Sequence, residues 1–199
     1  MMTNAELLEP LARARVDEIV VTSMSTVRPW GRLSDHDLDF ASADSAMGHT
    51  ADLALGLALA QPDRKVICLN GDGSMMMTLG TLATIIESGA ENLILFVIDN
   101  GTYEITGNQK VPGAGVVDWV ALARAVGFPR TYEFDDAAAY EGTLEEIMSG
   151  AGPVFVQVRV ERGDARPISR SQIEEARYIK TSMADWSRRM RATLMEEIT

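Results

Sequence analysis

Three short runs are apolar at almost every residue instead of every second one: Glu18-Ile19-Val20-Val21-Thr22, Lys65-Val66-Ile67-Cys68-Leu69 and Asn92-Leu93-Ile94-Leu95-Phe96-Val97-Ile98. A strand with one wet face alternates, so a continuous β-branched run implies cover on both faces. Residues 153–160 read as a fourth strand. Between these runs lie segments of helical period, predicted over about 46–60, 76–88 and 118–126, each bounded by Gly, Pro or a capping residue. Strands that alternate with helices build an α/β fold: one parallel sheet with helices on both faces. Ligands of such sheets sit beyond the carboxyl ends of the strands, which directs attention to the loops after Leu69 and Ile98.

The chain has 199 residues and is 46% hydrophobic, enough for one sizeable core and too short for two full domains. We expect a domain over 1–162. The stretch 161–171 is charged and holds Gly163 and Pro167. The remainder reads as a polar helix around Arg188-Arg189-Met190-Arg191, so 163–199 is expected to be a helical extension packing on the domain or on a partner, or simply solvated. A formal charge of -11 opposes a nucleic-acid partner. It does not oppose an anionic cofactor, because a bound cation and backbone N–H groups dominate the local field. The lone cysteine, Cys68, cannot by itself form a disulfide framework or a metal cluster, which fits a cytoplasmic setting. The start, Met1-Met2-Thr3-Asn4-Ala5-Glu6, lacks a basic-then-apolar leader, and no run of about 18 apolar residues is present, so neither secretion nor membrane insertion is expected.

The loop after the second run is Asn70-Gly71-Asp72-Gly73-Ser74, followed at once by Met75-Met76-Met77-Thr78-Leu79. Its glycines permit close backbone approach, and a helix start offers N–H donors to a phosphate. Asp72 supplies the carboxylate that a phosphate-bound Mg²⁺ requires. A plain β-turn accounts equally well for an isolated Gly-Asp-Gly. The loop after the third run is Asp99-Asn100-Gly101-Thr102-Tyr103, whose plainer reading is Asn-Gly turn chemistry. Twenty-five residues, 74 through 98, separate Gly73 from Asp99, the length of one helix plus one parallel strand. Asp72 and Asn100 are therefore expected at neighbouring strand ends, converging on one cation.

Together the two loops resemble the shared motif of thiamine diphosphate (ThDP) dependent enzymes, Gly-Asp-Gly followed after about 25 residues by Asn-Asn or a variant. The resemblance implies Mg²⁺ ligands from Asp72, the Asn100 side chain and the Thr102 carbonyl, with Gly73 and Ser74 facing the diphosphate. Asp99 stands where the family usually has Asn. Upstream, Ser45-Ala46-Met47-Gly48-His49-Thr50 looks like the family's segment in which a large apolar residue bends the cofactor. By that likeness Met47 is the wedge, and the Ser45 carbonyl, at a position more often Gly, meets the aminopyrimidine. The turn Ser23-Met24-Ser25-Thr26 is similar to a second diphosphate-contacting turn and makes Ser23 and Ser25 further contacts. Segments such as Asp63-Arg64-Lys65 and Gly107-Asn108-Gln109 are most similar to sulfopyruvate and phosphonopyruvate decarboxylases, and the likeness runs over about 16–160.

The implied function is the diphosphate-binding subunit of a decarboxylase acting on a small anionic 2-oxo acid. In the family a glutamate from a separate pyrimidine-binding domain activates the cofactor, so a hetero-oligomer with such a subunit is expected and the catalytic residues of this chain stay unknown. Glu6, Glu9 and Glu18 read as solvated. Tyr103, Glu104, His49, Lys110 and Arg166 could approach substrate or serve only as surface or packing groups. His36 reads as an exposed loop residue. Two alternatives share the cofactor: a carboligase of acetolactate synthase type, and the ThDP subunit of a 2-oxo acid oxidoreductase. A third, from another class, is a noncatalytic ThDP-binding regulatory subunit.

Overall fold

The computed structural model describes residues 1–41, 47–163 and 181–196. Six strands form a wholly parallel sheet in the order β2-β1-β3-β4-β8-β7. They are β1 (Ile19–Thr22), β2 (Asp39–Ala41), β3 (Val66–Gly71), β4 (Leu93–Asp99), β7 (Arg130–Phe134) and β8 (Val154–Arg159). Every residue of β1 and all but the last of β3, β4 and β8 are buried, as continuous apolar runs require. The helices are α1 (Asn4–Ala14), α2 (Val27–Leu33), α3 (Thr50–Ala60), α4 (Asp72–Met77), α5 (Thr81–Ser88), α6 (Trp119–Val126), α7 (Ala137–Met148) and α8 (Met183–Glu196). Helix α1 packs with α2 and α7, while α5 packs with both α3 and α6, so the sheet is flanked by helices as expected. A small antiparallel hairpin, β5 (Thr102–Tyr103) with β6 (Gln109–Lys110), stands apart from the sheet. Among the described residues no helix is long and apolar enough to cross a membrane.

The chain runs from β1 outward to β2, then returns to place β3 on the other side of β1. The strand order therefore reverses between β1 and β3, and the loops leaving their carboxyl ends border a crevice. In-register pairing of Thr22 with Leu69 and of Gly71 with Ile98 brings the ends of β1, β3 and β4 to nearly one level. This register puts residues 23–26, 71–74 and 99–102 beside one another.

Several elements go beyond the sequence expectations or refine them. The helix predicted over 76–88 is two helices, α4 and α5, interrupted at 78–80, where the Thr78 hydroxyl turns back to the Gly48 carbonyl. Helix α3 starts at Thr50, after a turn at 47–49. Strand β2 opens on Asp39, a fully buried carboxylate that no hydrophobic pattern reveals. It accepts from Trp30 Nε1 at 3.0 Å and from the Ser34 hydroxyl at 2.6 Å, and lies 3.3 Å from the Arg15 guanidinium. Helix α8 contacts β2 and buries Trp186, Met190 and Leu194, four residues apart on one face, so the helix around Arg188 and Arg191 is amphipathic and not wholly solvated. Helix α1 begins with a capping box, in which Thr3 Oγ1 accepts from Glu6 N–H at 3.2 Å and Thr3 N–H donates to Glu6 Oε2 at 2.7 Å.

Candidate functional site

Gly71 closes β3 and Asp72 opens α4, so the chain passes from strand to helix without an intervening loop. This abrupt turn leaves the Asp72 side chain only 2% exposed at the mouth of the crevice. Its Oδ2 accepts from the Gly101 N–H at 3.0 Å, tying the loop after β3 to the loop after β4. Gly101 reaches that position at φ +71°, a region glycine enters without steric cost. Burial pushes the Asp72 carboxyl up to about 7, and the charge of Asp99 adds to the shift, against the Gly73 and Gly101 N–H groups, which favour ionisation. Asp99 itself points toward β8, where its Oδ2 accepts from Gln157 Nε2 at 2.9 Å.

Gly73 owes its identity to Tyr103. A Cβ at residue 73 would lie 2.5 and 2.7 Å from carbons of the Tyr103 ring and 3.0 Å from Val111. The ring of Tyr103 thus walls the crevice where a side chain on α4 would otherwise stand. Asn100 is held at both ends of its amide: Oδ1 accepts from the Thr102 N–H at 2.9 Å and Nδ2 donates to Glu104 Oε2 at 3.0 Å. The Thr102 hydroxyl donates to Asn108 Oδ1 at 2.9 Å.

The turn at 47–49 is fastened to α4. Gly48 N–H donates to Ser74 Oγ at 3.0 Å, and the Gly48 carbonyl takes the Thr78 hydroxyl. Gly48 needs φ +88° to make this approach, which delivers Met47 to the crevice wall. From the β1 side, Ser23, Met24 and Ser25 complete the lining. The Ser23 hydroxyl points inward, donating to the Leu69 carbonyl at 3.3 Å, so its role within the protein is to lock the end of β1 to β3. Met24 adopts φ +38°, a conformation costly for a non-glycine residue and of the kind found where a loop is shaped for a ligand.

One crevice therefore gathers Ser23, Ser25, Met47, Asp72, Gly73, Ser74, Asn100 and Thr102. Ser45 lies outside the described residues, as does Arg166. Sequence reasoning passed over Met24, Ile98 and Ile105, which also line the crevice, and left the parts played by Tyr103 and Glu104 open. The other candidates lie differently. His49 takes the N-cap position of α3 but bonds Asp52, with Nδ1 2.8 Å from Oδ2, while Asp52 Oδ1 accepts the Thr81 hydroxyl at 2.5 Å. His36 is half-buried and accepts from the Leu38 N–H at 3.1 Å, because it folds into the turn around Asp39 and is not an exposed loop residue. Glu18 precedes β1 at the end of the sheet opposite the crevice, and Glu6 caps α1. Lys110 is exposed on β6. Cys68 is fully buried in β3, where loss of solvation pushes its thiol up and makes it unreactive.

Residues 32–158 match the family model described as thiamine pyrophosphate enzyme, C-terminal TPP binding domain. The chain is 34% identical to the sulfopyruvate decarboxylase subunit beta of Methanothermobacter thermautotrophicus over 184 residues, covering 90% of this chain and 95% of that subunit. It is 31% identical to the phosphonopyruvate decarboxylase of Streptomyces hygroscopicus over 78% of this chain but only 38% of that enzyme. Among solved structures, the thiamine diphosphate-dependent 4-hydroxybenzoylformate decarboxylase of Rhodococcus jostii RHA1 superposes with a TM-score of 0.67 at 26% identity, over 81% of this chain and 33% of that one. By its sequence matches and by its parallel sheet, this chain belongs to the thiamine pyrophosphate enzyme family, as a C-terminal TPP binding domain.

Proposed function

We propose that this chain is the diphosphate-binding subunit of a ThDP- and Mg²⁺-dependent decarboxylase of a small anionic 2-oxo acid. In this reading Asp72, the Asn100 side-chain oxygen and the Thr102 carbonyl hold Mg²⁺. Gly73, Ser74, Ser23 and Ser25, which line the same crevice, would face the diphosphate. Met47, on the crevice wall, would support the cofactor. The observation that carries the reading is the 3.0 Å bond from Gly101 N–H to Asp72 Oδ2, which sets Asn100 beside a buried carboxylate. The donor set suits the ion, since Mg²⁺ prefers oxygen and is commonly held by one or two protein groups plus phosphate. A carboxyl lifted to about 7 by burial is also one whose ionised form a cation restores.

When bound, ThDP supplies the nucleophilic carbon and the electron sink that loss of CO₂ requires. This chain's residues bind and orient it. Asp72 and Asn100 would hold it through the cation, Tyr103 packed on Gly73 walls the crevice, and Met47 would contact it from the crevice wall. The groups that act at the pyrimidine end are assigned to a partner subunit carrying a pyrimidine-binding domain. Support comes from proportion: the chain matches nearly all of a protein named as a β subunit, yet about two-fifths of a relative whose name mentions no subunit. We assign 1–162 to the diphosphate-binding domain and 163–199 to its extension, in a cytoplasmic protein without nucleic-acid or membrane partners.

The test is CO₂ release from sulfopyruvate, phosphonopyruvate and pyruvate under saturating ThDP and Mg²⁺, by the chain alone and with its co-expressed partner. Release from one of the three only with the partner is the expected result. Full activity of the chain alone overturns the partner assignment. An assembly that binds ThDP and releases no CO₂ from any of the three overturns the decarboxylase assignment and favours carboligation or regulation.

A further inference from the structure

An asparagine amide has two chemically different ends, and only its oxygen can hold a cation. Which end faces the crevice is decided by the partners of Asn100. Glu104 Oε2 accepts from Asn100 Nδ2 at 3.0 Å and also from the Gly163 N–H at 3.3 Å. The Gly163 carbonyl accepts from Asn108 Nδ2 at 3.3 Å, and Asn108 Oδ1 accepts from the Thr102 hydroxyl at 2.9 Å. Thr102 closes the ring by donating its N–H to Asn100 Oδ1 at 2.9 Å. Five residues drawn from two distant stretches of chain thus form one circuit around the loop after β4.

We propose that Glu104 is a positioning residue: anchored by Gly163, its carboxylate accepts the Asn100 amide nitrogen and so commits the Asn100 oxygen to the cation. The inference rests on the cation reading above and deepens it. An ionised carboxylate can only accept, and the Thr102 N–H can only donate. Turning the amide over would set oxygen against oxygen at Glu104 and N–H against N–H at Thr102, so both bonds would be lost and two repulsions gained. A Cβ at Gly163 would lie 2.5 Å from Glu104 Oε1, so any side chain there displaces the carboxylate. The C-terminal end of the domain, just past β8, thereby reaches the metal loop through one side chain.

Cation affinity tests this directly, measured by titrating Mg²⁺ into the full chain in its purified assembly at saturating ThDP, with melting of the cofactor-free protein alongside. Glu104→Leu is expected to weaken Mg²⁺ by about 10-fold or more, as loss of a group that orients a ligand typically does. Glu104→Gln should stay within about threefold of wild type, because its amide oxygen can still accept from Asn100. Gly163→Ala, which pushes the carboxylate aside without touching Asn100, should weaken Mg²⁺ in the same direction as Leu. Asp72→Ala serves as the control for the site itself. If Asp72→Ala loses the cation while Glu104→Leu and Gly163→Ala keep it within threefold, the positioning role is overturned and the site stands. If Gln loses as much as Leu, charge and not orientation is responsible, and the proposal falls. If wild type binds no Mg²⁺ with ThDP, the cofactor reading falls and takes this inference with it. Should the Leu variant fail to fold, Gly163→Ala and Gln decide by the same criteria.

Discussion

Asp72→Asn separates the cost of burying a carboxylate from its use. In the metal-free chain the Asp72 carboxyl ionises near 7 instead of its ordinary 3.8, principally because burial strips its solvent. Lifting the carboxyl from 3.8 to about 7 sets an upper bound of about 4 kcal/mol. We expect about 2–4 kcal/mol. The folded chain binds this proton more tightly than the unfolded chain does. Its contribution therefore favours folding in acid, is lost progressively as pH rises from about 4 to 7, and stays lost above that. Asparagine carries no titrating proton yet keeps an oxygen for the Gly101 N–H. In EDTA, urea melts should find Asp72→Asn within about 1 kcal/mol of wild type near pH 4.5 and more stable by the stated amount at pH 8. With Mg²⁺ and ThDP at pH 8 the order should reverse, since only wild type gains from the ligands. A variant less stable than wild type at pH 8 in EDTA, or a difference that does not change with pH, would refute the reasoning.

Other perturbations test separate parts of the account. Gly73→Ala forces the Tyr103 ring from its place and is expected to destabilise by about 1–3 kcal/mol in urea melts while lowering ThDP affinity. Met47→Ala should reduce turnover more than ThDP affinity, with a melting loss below the ~2–5 kcal/mol of a full core truncation because Met47 is only half-buried. Trp186→Ala, at 1% exposure, should cost about 3–5 kcal/mol in the same melts, as α8 loses its hold on β2.

The strands that frame the crevice were legible because they are buried on both faces. Continuous runs at β3 and β4 signal a strand, and the Gly-Asp-Gly and Asp-Asn-Gly ends mark where it stops. Elements that depend on tertiary partners were not legible. Strand β7, Arg130-Thr131-Tyr132-Glu133-Phe134, is an edge strand with polar residues and no apolar run to mark it. Strand β2 is three residues long and starts on a charge that only its buried partners explain. The break at 78–80 falls on Thr78-Leu79-Gly80, and the Thr78 hydroxyl there bonds Gly48, thirty residues away. Within the site, the motif spacing carries Asp72, Gly73, Ser74, Asn100 and Thr102 to the lining of one crevice. The Ser23 hydroxyl, the ring of Tyr103 and the link from Glu104 to Gly163 across 59 positions are set by packing, which spacing does not encode.

The most direct test of the central claim is a calorimetric titration of ThDP into wild type and Asp72→Ala, with Mg²⁺ and with EDTA. The account predicts saturable binding by wild type only when Mg²⁺ is present, and loss of that binding in Asp72→Ala whose fold is intact by circular dichroism. Undiminished ThDP affinity in Asp72→Ala, or equal affinity of wild type in EDTA, would contradict it.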